Sequence, residues 1–91
     1  MKLDFNFSLK DLDGAEIKEA NAGKILANSL VQQTKGDAIK FFEWALSLHK
    51  GEILDLDTSD QETLKNFIKD GEHFTILAKA QLLQVMKKAT D

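Results

Sequence analysis

Apolar residues stand at every second position near the start of the chain, at Leu3, Phe5, Phe7 and Leu9, with Asp4, Asn6 and Ser8 between them. A period of two puts the first set on one side of an extended backbone and the second on the other, which predicts a half-buried β-strand. Asp11, Leu12, Asp13 and Gly14 follow with turn chemistry, because aspartate side chains bond nearby backbone amides and glycine accepts positive φ without steric cost. A short return strand over residues 15–18, with Ile17 inward, completes a hairpin. Two strands alone are marginal in water, so the rest of the chain must supply helices that cover the Phe5 and Phe7 face.

The spacing beyond the hairpin predicts those helices. Asn21 caps one that runs from Ala22 to about Lys35, with Gly36 as the stop. Asp37 caps a second over residues 38–50, ended by Gly51. Its apolar residues Ile39, Phe41, Phe42, Trp44, Ala45, Leu46 and Leu48 occupy more than one face. Residues 52–57 alternate in part and read as a third short strand near 53–56 or as an extended connector. Ser59 and Glu62 have the spacing of a capping box, opening a third helix that runs to about Lys69 and buries Leu64, Phe67 and Ile68. A last helix begins near Phe74 or Thr75, with Leu77, Ala78, Gln81, Leu82, Val85 and Met86 on its inner side. The expected fold is α+β: an N-terminal β-hairpin, with a possible third strand, packed against about four short α-helices in a single domain over residues 1–91.

A chain of 91 residues has room for one core. It contains no cysteine, so neither a disulfide nor a thiolate metal site staples that core, and a reducing compartment is the natural reading. The first residues alternate where a secretory signal would place a basic region and then a long apolar run. No apolar run approaches the roughly 20 residues that span a bilayer. These features lead us to expect a small acidic protein of the cytoplasm with no membrane partner.

All 12 basic residues are lysine, set against 15 acids for a net charge of −3. Arginine supplies the bidentate fork used on phosphates and guanine edges, so its absence weighs against nucleic acid as a partner. An AT-rich genome also produces the lysine-only habit, and that reading carries no functional meaning.

The residue types that carry chemistry do not assemble into a motif. Asp55, Asp57 and Ser59 match the first ligand spacings of a calcium loop, but Asp60 and Asn66 stand where its glycine and bidentate glutamate belong. Acids at a helix start explain them better. His49 and His73 are far apart, and neither has a metal-ligand neighbour at zinc spacing. No serine sits in a glycine-flanked elbow, and no glycine-rich loop cradles a phosphate. We therefore expect no enzyme and no catalytic, cofactor or metal site. Trp44, beside Phe41 and Phe42, is either a core anchor or part of an exposed aromatic patch. The candidate partner surface is Phe41, Trp44 and Leu48 on the second helix, with the outer face of the last helix as an alternative.

The alternating strand, the turn at Asp11, Leu12, Asp13 and Gly14, two helices, the acidic stretch Leu54, Asp55, Leu56, Asp57 and Thr58, and a closing apolar helix make a layout that resembles short uncharacterised proteins of tailed bacteriophages and prophages. The likeness implies a phage or prophage origin and a cytoplasmic site in the bacterial host cell. It further implies a small protein-binding protein, acting in particle assembly or on a host factor, through a protein partner or by self-association. It brings no residue of known function. A rival expectation is a small-ligand or nucleotide binder whose pocket forms between subunits of an oligomer.

Overall fold

A computed structural model describes residues 1–90. The chain forms, in order, β1 (Lys2–Leu3), β2 (Ser8–Lys10), β3 (Glu16–Asn21), α1 (Ala22–Val31), α2 (Ala38–His49), β4 (Leu54–Asp55), α3 (Thr58–Asp70) and α4 (Ile76–Thr90). The class is α+β: four helices with two small antiparallel sheets, β1 against β4 and the hairpin β2–β3.

The hairpin turn forms as its residues dictate. One Asp11 carboxylate oxygen accepts from the amides of Asp13 and Ala15 at 2.9 and 3.0 Å, and Gly14 takes φ +86°. Pairing runs from Ser8 opposite Asn21 to Lys10 opposite Glu16, so β3 takes five steps where β2 takes two and bulges. The return strand is consequently longer than residues 15–18.

The strand expected over residues 3–9 is broken in the middle, and the break has a physical cause. Asp4 Oδ1 accepts from the Asn6 amide at 2.9 Å, and the Phe7 amide folds back onto the Phe5 carbonyl at 2.9 Å. The Phe5 and Phe7 carbonyls also accept from Gly23 and Ala22 at 2.9 and 2.8 Å. The first amides of a helix lack intrahelical partners, and here the kinked segment supplies them. Those carbonyls are then lost to a sheet ladder. Leu3, Phe5 and Leu9 are buried as the alternation requires, whereas Phe7 is only half-buried. β1 instead pairs with β4, Lys2 opposite Asp55 and Leu3 opposite Leu54, which realises the third strand near 53–56 as two residues.

The caps at Asn21 and Asp37 form, each accepting from the amide three residues on, at 3.0 and 3.1 Å. α1 stops at Val31, short of the expected Lys35, and the Gln33 side chain donates to the Ser29 carbonyl at 2.9 Å. α3 starts earlier than the Ser59 capping box predicts, because Asp57 Oδ1 accepts from the Asp60 amide at 2.8 Å and takes the cap position. A carboxylate there also answers the positive end of the helix dipole, which a hydroxyl does not. α4 opens on Thr75, whose hydroxyl accepts from the Ala78 amide at 3.2 Å.

Leu3, Phe5, Leu26, Leu64, Ile68 and Leu82 lie at the centre with no exposed surface. Along one side runs a row of rings: Phe41 stacks on Trp44 at 5.7 Å, meets Phe67 at 5.6 Å, and Phe67 meets Phe74 edge-on at 6.0 Å. The row joins α2 to α3 and to the loop before α4. Beside it Lys40 Nζ donates to Asp60 at 2.7 Å, and that hydrogen bond raises the Lys40 ammonium above the ordinary lysine range.

Candidate functional site

α1 and α2 pack antiparallel, with Gly23 against the Leu48 carbonyl at one end and Val31 beside Phe42 at the other. One face of α2 points into the core. Trp44 is 8% exposed and Leu48 2%, and Phe41 is half-buried between Trp44 and Phe67. The partner surface expected at Phe41, Trp44 and Leu48 is therefore corrected: two of its three members lie in the interior and hold α2 to its own chain.

The opposite face of α2 is the open one. Ile39 is 74% exposed, Phe42 56% and Leu46 44%, and Val31 on α1 adds 52%. Phe42, Leu46 and Val31 border a shallow groove of about 160 Å³ between the two helices, floored by Ala27 and Ala45 and closed by Asn28 and His49. A monomer commonly exposes single apolar residues, and here three stand side by side on one helical face. Periodicity had already placed apolar residues on two sides of α2. It could not say which side the chain itself would cover.

A second concavity, about 550 Å³, lies between α3 and α4. Leu83, Ala80 and Met86 give it an apolar lining, and Lys65, Lys69 and Lys87 stand along it with Glu62 among them. All of its lining residues come from this one chain.

The acids that suggested a calcium loop are engaged structurally. Asp55 pairs with the Met1 amine at 3.2 Å, and Asp57 caps α3. Among the described residues, no group of three or more histidines and acids is arranged to hold a metal ion. His49 and His73 are both exposed, on different elements. No helix among the described residues is long and apolar enough to cross a membrane. Comparison of the chain with protein-family models, curated proteins and solved structures finds no match.

Proposed function

We propose that this chain is a non-enzymatic protein-interaction module whose contact face is the outer side of the α1–α2 pair, and that it serves in phage or prophage particle assembly or on a host factor. The observation that carries the reading is the exposure of Ile39, Phe42 and Leu46 on one face of α2 with Val31 beside Phe42 at the end of α1. Burying such side chains fully is worth about 1.5–3 kcal/mol each. Their partner is a protein that offers a matching apolar helix. A photo-crosslinking residue placed at position 46 tests this, with position 12, where Leu12 is 97% exposed on the hairpin turn, as the control. The expected result is protein adducts at position 46, identified by mass spectrometry, in about tenfold or greater yield over position 12. Equal yields would overturn the reading.

The groove between α3 and α4 favours a second reading, a site for an anionic amphiphile. Leu83 and Ala80 would take its apolar body and the lysines its acid group. A bound ligand at 100 times its dissociation constant adds about 2.7 kcal/mol of stability. Long-chain fatty acids should then raise the melting temperature while nucleotides leave it unchanged. No shift with either removes this second reading.

A further inference from the structure

We infer that the groove between α3 and α4 takes a single-chain amphiphile with a phosphate monoester head, the head lying between Lys65 and Lys69 and the chain running toward Met1 and Met86. This deepens the second reading above, and rests on it, by naming the ligand's head group and its direction.

Hydrogen bonds fix the two ends of the groove. Lys79 Nζ donates to the Lys69 carbonyl at 3.1 Å, which places the start of α4 against the end of α3. At the other end the Met1 amine and the Gln61 side chain donate to the same Leu56 carbonyl, both at 3.0 Å. Gln61 and Lys69 lie about 12 Å apart along α3, roughly two turns. That trough is short for a docked peptide helix, whereas about 550 Å³ is in the ordinary range for a small molecule.

The two ends differ in chemistry. Both methionines of the chain, Met1 and Met86, line the groove beside Leu83. Their thioether side chains are unbranched and polarizable, and so adapt to an alkyl chain of no fixed shape. Toward the end of α3, Lys65 and Lys69 stand four apart, with their Cβ atoms about 5–6 Å from one another on one helical face. Both are exposed, and among the described residues neither ammonium forms an ion pair. Like charges at that spacing repel, and an anion set between them removes the repulsion. The lining carries three lysines and one acid, Glu62, on a chain whose net charge is −3. The groove is thus cationic against the charge of the whole chain.

A phosphate monoester suits the lysine pair better than a carboxylate does. It has three oxygens and carries about −1.5 to −2 near neutral pH, where a carboxylate carries a single charge. The charged groups that face the site are Glu62, Lys65 and Lys69 from α3, Lys87 from α4 and the Met1 amine, the last paired with Asp55 at 3.2 Å. Among the described residues no histidine lines the groove. A rise in affinity between about pH 5 and about pH 7 is then the phosphate's own second ionisation, near pH 6.

Isothermal titration calorimetry on the whole chain tests the inference, with decyl phosphate, decyl sulfate, decanoate and inorganic phosphate as probes below their micelle thresholds. At about pH 7 decyl phosphate should bind about tenfold or more tighter than decyl sulfate and decanoate, the order expected of a further charge beside two ammoniums. At about pH 5 that preference should fall to about twofold or less. Inorganic phosphate should bind about 100-fold more weakly than decyl phosphate, because it buries no methylenes. Lys65→Gln and Lys69→Gln should each cut the preference to about threefold or less with circular dichroism unchanged. Lys24→Gln, at an exposed position of α1, should leave it as it is. Decyl phosphate that binds no tighter than decanoate, a preference without the pH step, or one that survives both lysine variants overturns the proposal. Inorganic phosphate that binds as tightly as decyl phosphate overturns it too. If decanoate still binds in such a case, the head group is wrong and the amphiphile reading stands. If no single-chain anion binds, both fall together.

Discussion

Gly23 shows how closely single residues are held. An added Cβ would stand 3.1 Å from the Leu48 carbonyl oxygen and 3.3 Å from that of Phe5, both backbone atoms with little room to retreat. Alanine normally improves a helix by up to about 1 kcal/mol, but overpacking costs about 1–3. Gly23→Ala should therefore destabilise the chain by about 1 kcal/mol net, read as a lower urea midpoint at unchanged slope. The start of α3 gives a second test. Asp57→Ala removes the cap and should cost about 1 kcal/mol, whereas Ser59→Ala should stay within about 0.5. If the two costs reverse, the hydroxyl and not the carboxylate begins the helix.

Among the elements, α2 carries both core residues and the exposed apolar face, and its rings separate the two. Phe41 bridges Trp44 and Phe67, so Phe41→Ala should cost about 2 kcal/mol, below the usual range for a fully buried phenylalanine, and should shift Trp44 emission to the red. Phe42→Glu, one residue on, should leave that emission unchanged in the monomer. Much of the element order was legible in the sequence: the Asp11 turn, the Asn21 and Asp37 caps, and the helix stops near Gly51 and Gly71 all follow from local chemistry. The broken strand was not. The Phe5 and Phe7 carbonyls are claimed by amides of α1 some fifteen residues away, a tertiary demand that alternation cannot register. The candidate face was half-legible for a related reason. Apolar residues on two sides of α2 announce two contacts, yet only the assembled core decides that Trp44 and Leu48 turn inward and Phe42 and Leu46 outward.

At the scale of the whole molecule, a partner that binds the native chain and not the unfolded one links stability to that partner's concentration. The melting temperature should therefore climb when a protein captured at position 46 is added, and should not climb in Phe42→Glu. The fold is also closed by contacts between its extremes. The Gln81 side chain accepts from the Lys10 amide at 2.9 Å and donates to the Lys10 carbonyl at 2.8 Å, so that one amide of α4 bonds the free edge of β2 as a neighbouring strand would. Because that edge waits for a residue 71 positions downstream, a ribosome must have delivered α4 before the hairpin is sealed. During synthesis, therefore, the edge of the hairpin stays open to foreign strands until α4 emerges.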